Sequence, residues 1–249
     1  MDNINQISCI TFDLWNTLII DKPEFGESRA KLRIESINQT LFNIGEIFSE
    51  NTLQEAYSQC IEDCNNNRIR GKDISFNMQI ELFVKKIDPS LLSRLTDKHF
   101  NEILSGYLNP FYIYPPPVHP KASKVLGKLK SDGYKLGLIS NTAMTPGTTF
   151  RKYLDKHQIL EYFDVLTFSD EVGIAKPSHK IFDITLNQLS ANPESTIHIG
   201  DDFDNDVIGG LKAGLKVIWI NLSQVKKTII TPTHIVNDLE QVLNKIYDY

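Results

Sequence analysis

The chain is short of cysteine, has no long apolar run and no surplus of positive charge, and each deficit removes a class of function. Only three cysteines occur in 249 residues. Cys9, Cys60 and Cys64 cannot build an even-numbered disulfide framework, and a CysxxxCys spacing alone is a weak metal signal. Reduced structural thiols in a reducing compartment are therefore expected. No apolar stretch approaches the roughly 18 residues that a membrane-spanning helix needs. The opening MDNINQ carries an acid where an export signal needs a basic segment, so a cytoplasmic protein without a membrane partner is expected. The formal net charge of −5 gives no electrostatic reason to expect nucleic acid as a partner. The six histidines are scattered, with no HExxH pairing, which argues against zinc. Oligomeric state is not legible.

What is present has two textures. Short apolar, β-rich runs end in polar residues: ISCITFD (7–13), KLGLIS (135–140), DVLTFS (164–169), TIHIG (196–200) and KVIWIN (216–221). Between the later runs lie amphipathic stretches of helical length, 120–132 with Val125, Leu126 and Leu129, and 178–190 with Ile181, Phe182, Leu186 and Leu189. Near-continuous apolar strands alternating with helices predict a parallel sheet covered on both faces. Residues 24–112 differ: apolar residues recur there at helical spacing with no strand-like run, as in Leu32, Ile34, Ile37 and Leu41, or Ile80, Phe83 and Val84. This predicts an all-α unit inserted after the first strand, with FYIYPPPVHP (111–120) as a stiff return linker. The expected division is a core of 1–21 and 115–249 and a helical domain of 22–114.

Ligands of open α/β sheets bind beyond the carboxyl ends of the strands, so the polar residues there are the ones to inspect. The first strand ends in Asp13, followed by LWNTL. The second ends in Ser140, followed by Asn141 and Thr142. The third leads into SDEVGIAKP with Lys176, and the fourth ends in Gly200 and Asp201 within GDDFDND. A carboxylate, a hydroxyl, a lysine and an acidic cluster would converge on one edge.

These four segments, FDLWNTL, LISNT, EVGIAKPSHKIF and HIGDDFDNDVIGGLKAG, resemble in order the four motifs of the haloacid dehalogenase superfamily, and together they span 12–214. The 24–112 insertion resembles that family's helical cap in its C1 position. The resemblance implies a Rossmann-like doubly wound α/β core with an inserted all-α cap. It also implies a hydrolase in which Asp13 is the nucleophile and Lys176 neutralises charge as a point cation. Ser140, with assistance from Asn141, would hold phosphoryl oxygens. Magnesium would bind Asp13, Asp201, Asp206 and the backbone carbonyl of Trp15, with Asp206 either supporting the metal or pairing with Lys176. Asp202 and Asp204 are expected to be solvated loop residues. Gly209, Gly210 and Gly214 are expected to serve packing, and Lys121, Lys124, Lys128 and Lys130 a solvated helix face. Arg29, Arg33, Arg68 and Arg70 are candidates to reach an anionic substrate, although surface exposure is the simpler expectation for each.

One residue departs from the phosphatase pattern. Trp15 stands where those relatives carry a second Asp that protonates the leaving oxygen, and losing such a group typically costs about 10²–10⁴-fold in rate. Three readings follow. The first is a magnesium-dependent phosphatase or phosphotransferase on a small phosphorylated metabolite, whose acid comes from elsewhere or whose leaving group needs none, as with an aryl or acyl phosphate. The second is a 2-haloacid dehalogenase, since those relatives carry an aromatic residue at this position, though without the acidic pair Asp201 and Asp206. The third is a catalytically weak binder of a phosphorylated ligand, with Trp15 as a stacking wall.

Overall fold

The computed structural model describes residues 6–222 and 230–248. The opening segment 1–5, from which the lack of an export signal was read, lies outside the described residues. Six strands form one sheet: β1 (Cys9–Phe12), β2 (Lys135–Ser140), β3 (Val165–Phe168), β4 (Thr196–Gly200), β5 (Lys216–Ile220) and β6 (His234–Val236). Their spatial order is β3-β2-β1-β4-β5-β6, and every neighbouring pair is parallel. The core is thus the Rossmann-like α/β sheet. Five strands follow the apolar runs. The sixth, His234–Val236, did not stand out because its three residues are too short to show a period.

Both faces of the sheet are covered. Alternation sends Ile10 and Phe12 of β1 to one side, where they pack with Leu126, Phe150 and Val242, and sends Cys9 to the other, with Ile181, Phe182 and Leu186. The ten α-helices among the described residues run α1 (Pro23–Asn43), α2 (Glu50–Ile69), α3 (Phe76–Ile87), α4 (Asp97–Ile113), α5 (Ala122–Ser131), α6 (Gly147–Lys156), α7 (Ser169–Val172), α8 (His179–Leu189), α9 (Gly209–Lys212) and α10 (Val242–Ile246). Their starts follow local chemistry. Pro23 opens α1, where its missing N–H is no loss, and Ser49, Ser75 and Thr96 cap α2, α3 and α4 through their hydroxyls.

Helices α1 to α4 follow β1 and share a hydrophobic cluster of their own, centred on Leu41, Leu53, Phe83 and Tyr107. One expectation about this segment is corrected. FYIYPPPVHP does not begin a linker at Phe111, because α4 continues to Ile113 with Pro110 inside its last turn. Phe111 is buried against Phe150 and Tyr153 of the sheet's core, and that burial offsets the helix bond proline cannot make. The extended segment starts only at Tyr114.

Candidate active site

Because all strands are parallel, their carboxyl ends lie on one edge. The order reverses beside β1, where β2 leads one way and β4 the other. Asp13 and Asp201 follow β1 and β4, the two strands at this switch. The N–H of Asp13 donates to the Ile199 carbonyl at 2.8 Å, which ties the two strand ends together.

At the centre is one cation among three carboxylates. Lys176 Nζ donates to Asp13 Oδ1 at 2.5 Å and to Asp206 Oδ1 at 2.7 Å, and all three residues are buried. Asp201 is half-buried, and Asp13, Asp201 and Asp206 each present a carboxylate oxygen within 4.8 Å of the others. Burial, with the negative charge of Asp206, pushes Asp13 up to about 7 against the pull of Lys176. Burial and the charges of Asp13 and Asp206 push Asp201 up to about 8. Burial would raise Asp206 as well, but Lys176 and a hydrogen bond from His198 hold it down to about 2. Lys176 itself is held above its ordinary value, because its two carboxylates outweigh the effect of burial.

The supports of this centre reach into the sheet. His198 on β4 bonds Asp206 Oδ1 through Nε2 at 3.2 Å and Thr11 Oγ1 on β1 through Nδ1 at 2.9 Å. Burial lowers the affinity of His198 for a second proton. Asp206 rides on a π-helical turn, Phe203–Ile208, and its Oδ2 accepts the Asp202 N–H at 2.9 Å. A Cβ at Gly200 would stand 2.3 Å from Asp206 Cγ, so only glycine lets that carboxylate reach the centre. Trp219 Nε1 donates to the Asp201 carbonyl at 2.8 Å and fixes the turn. The sequence reading singled out none of His198, Thr11 or Trp219. In hindsight, a polar residue inside an apolar parallel strand was the available signal for the first two.

The other expected residues take distinct places. Ser140 is fully buried at the end of β2. Asn141 spends its amide on the Lys176 backbone, accepting from the N–H at 2.9 Å and donating to the carbonyl at 3.0 Å, so it holds the lysine loop. Trp15 is half-buried, edge-on to Phe150 with ring centroids 5.3 Å apart, and among the described residues its buried Nε1–H has no partner. Asp202 and Asp204 are exposed, as expected. Gly209 and Gly210 pack against Phe182 and Val217, whereas Gly214 serves a turn at φ +81. Lys121, just before α5, and the three lysines of α5 pair with carboxylates: Lys121 and Lys124 with Glu240, Lys128 with Asp132, and Lys130 with Asp164.

The arginines overturn the simpler expectation. Arg70 is exposed, but Arg29, Arg33 and Arg68 are buried. Sequence alone favours a solvated arginine, and here each is drawn inward by groups contributed from distant parts of the chain. Arg68 Nε donates to Asp73 Oδ2 at 3.1 Å and its Nη2 to the Ala143 carbonyl at 2.8 Å. Asp73 Oδ2 also accepts the Ser169 hydroxyl at 2.6 Å. The turn carrying Asp73 pairs with the loop leading to Lys176. Asp73 N–H donates to the Gly173 carbonyl, Ala175 N–H to the Gly71 carbonyl, and Lys72 faces Ile174 in an antiparallel bridge. Arg33 donates to the Met144 carbonyl at 3.1 Å and to Thr145 Oγ1 at 3.2 Å.

Chemically, the centre offers hard oxygen donors and, with all groups ionised, three negative charges against one positive. Burial, together with that excess, raises Asp13 and Asp201, and a divalent cation that prefers oxygen ligands fits the centre. A buried carboxylate beside a buried lysine is equally suited to nucleophilic attack on an electrophilic phosphorus or carbon.

Comparison with known proteins shows the family and the fold. A family model described as haloacid dehalogenase-like hydrolase matches residues 7–214. Glyceraldehyde 3-phosphate phosphatase of Methanothermobacter thermautotrophicus is 30% identical over 172 residues, 68% of this chain and 70% of that protein. Pyrimidine 5'-nucleotidase YjjG of Escherichia coli is 35% identical over 132 residues, 51% of this chain and 56% of that protein. Among solved structures, a 2-haloacid dehalogenase of Pseudomonas syringae pv. Tomato covers 98% of this chain and 99% of its own, with a TM-score of 0.71 at 19% identity. A phosphatase of Thermococcus onnurineus covers 96% and 98%, with a TM-score of 0.66 at 22% identity. At those identities the structural likeness is one of fold. Among the described residues, no helix is long and apolar enough to cross a membrane.

Proposed function

This chain belongs to the haloacid dehalogenase-like hydrolases, and from that premise we propose that it cleaves the phosphoryl group from a small phosphate ester or anhydride, with Asp13 as nucleophile. The observation that carries the reading is Lys176 held between Asp13 and Asp206, with Asp201 supplying a further acid. An Asp13 carboxylate oxygen attacks phosphorus, the bond to the leaving oxygen breaks, and an aspartyl phosphate forms. Water then attacks the same phosphorus and returns the Asp13 carboxylate. Lys176 offsets charge on Asp13 and on the phosphoryl oxygens throughout, while Ser140 and the adjoining amides bind those oxygens. Asn141 keeps Lys176 in place by gripping its backbone at both ends. Asp13, Asp201, Asp206 and the Trp15 carbonyl would hold magnesium, which would supply positive charge for the transferred group. Residues 22–114 act as a cap over the edge and exclude bulk water.

Two named relatives, a phosphatase and a nucleotidase, act on phosphorylated small molecules, which supports this class of substrate. Trp15 provides no acid, so leaving groups that depart as stable anions, aryl and acyl phosphates, are the better substrates. The dehalogenase reading fits less well. A haloacid brings its own carboxylate to a centre already rich in them. A weak phosphate-ligand binder would keep the same centre without turnover.

The test is steady-state hydrolysis of an aryl and an acyl phosphate, with chloroacetate as a halide-release control. Magnesium-dependent phosphate release without chloride release supports the proposal. Chloride release without phosphate moves the assignment to dehalogenation, and neither product moves it to binding. Trp15→Asp is expected to raise hydrolysis of an alkyl phosphate, whose leaving oxygen needs a proton, and a folded variant with no gain on that ester counts against the role given to position 15.

A further inference from the structure

A cavity of about 320 Å³ opens beside the catalytic loop, lined among others by Trp15, Asp21, Arg29, Arg33, Met144 and Thr145. It lies between α1 and the turns that follow β1 and β2, two residues along the chain from Asp13. Its size is at the small end of ligand pockets, enough for a small anionic group.

The charges around it do not balance. Arg29 is paired with Asp21, whose other oxygen accepts the Lys22 N–H at 3.0 Å. Arg33 is 5% exposed and has no carboxylate partner among the described residues. Its four hydrogen bonds go to neutral oxygens: the carbonyls of Tyr107 and Met144 and the hydroxyls of Tyr57 and Thr145. A guanidinium carries five N–H groups, so one remains. Thr145 accepts from Arg33 and keeps its own proton to donate. The buried Trp15 Nε1–H also lacks a partner among the described residues. The cavity is therefore lined by two cations and one anion, with donors left on three of its lining side chains, and the Arg33 guanidinium is faced by the Tyr107 ring at 4.7 Å rather than by a carboxylate. A buried cation without a counter-charge is costly, and the group that would relieve it is an anion with oxygen acceptors.

We propose that this cavity binds a second anionic group, a carboxylate or a further phosphate, on the part of the substrate that is not transferred. The inference rests on the reading of Asp13 as the phosphoryl site and narrows its substrates to small phosphates bearing another oxyanion a few bonds away. Arg33 supplies the charge, and Trp15 and Thr145 supply directional donors. Trp15 thus occupies the acid's position with a binding role.

Calorimetric binding to the wild-type protein in magnesium tests this without turnover, because phosphonates are not hydrolysed. Phosphonoacetate carries a carboxylate, ethylene bisphosphonate a second phosphoryl group, and ethylphosphonate neither. A charge-assisted hydrogen bond predicts that one of the first two binds at least about tenfold tighter than ethylphosphonate. Which of them does so identifies the anion. In Arg33→Met that ratio is expected to fall to about one. Should this variant not fold, Trp15→Phe, which removes the N–H along with part of the indole and keeps an aromatic ring, is expected to reduce the ratio severalfold. Three ligands binding alike, or a ratio unchanged in the variants, overturns the second subsite alone. Failure of all three ligands to bind refutes the phosphoryl site and the subsite with it.

Discussion

The contact between the helices and the lysine loop yields a quantitative prediction. Arg68 and Asp73 form a buried ion pair whose side chains are 8% and 0% exposed, and Asp73 additionally accepts from Ser169. Asp73→Ala strands a buried guanidinium and a buried hydroxyl at once. Removing one member of a buried pair typically costs about 3–5 kcal/mol. For a chain of this size that corresponds to a fall in melting temperature on the order of 10 °C. Arg68→Met alone leaves Asp73 charged in the same place and is expected to cost a similar amount. The double variant removes both charges, so its loss should be well below the sum of the single losses, by about 2 kcal/mol or more of coupling. Urea melts of the four proteins at neutral pH give the cycle. Because the Gly71–Asp73 turn pairs with Gly173–Ala175 immediately before Lys176, the single variants should also lower kcat more than they raise KM. Additive losses below about 1 kcal/mol each, at unchanged kcat, would refute the claim that this pair holds the lysine loop.

Further predictions come from the same geometry. Protons compete with a cation for Asp13 and Asp201, which titrate at about 7 and about 8, so cation binding releases protons. The melting-temperature gain from magnesium should therefore be larger at about pH 8.5 than at about pH 6, and a gain independent of pH would contradict the proposed ligand set. Asp170 is raised by burial to about 6, above its unfolded value. Its contribution favours folding at low pH and is lost as pH rises towards 6, so Asp170→Asn should flatten the stability profile between about pH 4 and 6. Gly200→Ala should abolish activity by displacing Asp206, and full activity in a folded variant would disprove that close approach.

Most of the fold was legible because parallel strands buried on both faces read as apolar runs, and each of the five that did so became a strand. His234–Val236 did not, since three residues carry no period, and Pro110 concealed the last turn of α4 because the burial of Phe111 overrides its local cost. At the site, Asp13 and Asp201 were legible as polar ends of strands, Lys176 from the segment after the third strand and Asp206 from the family resemblance of GDDFDND, and the fold brings the four together. The arginines were not. Whether Arg33 and Arg68 face water or the interior is decided by Met144, Thr145 and Ala143, residues more than seventy positions away in the chain. Asn141 illustrates a subtler limit, because a strand-end amide can serve a substrate or a neighbouring backbone, and only the fold places Lys176 within its reach.

The central claim is that Asp13 carries the phosphoryl group, and the most direct measurement is acid-quenched mass spectrometry of the Asp13 peptide after brief exposure to an acyl phosphate in magnesium. The account predicts a mass increase of one phosphoryl group on that peptide in the wild type, absent without magnesium and absent in Asp13→Asn. Phosphate release that proceeds with no adduct and survives in Asp13→Asn would contradict it.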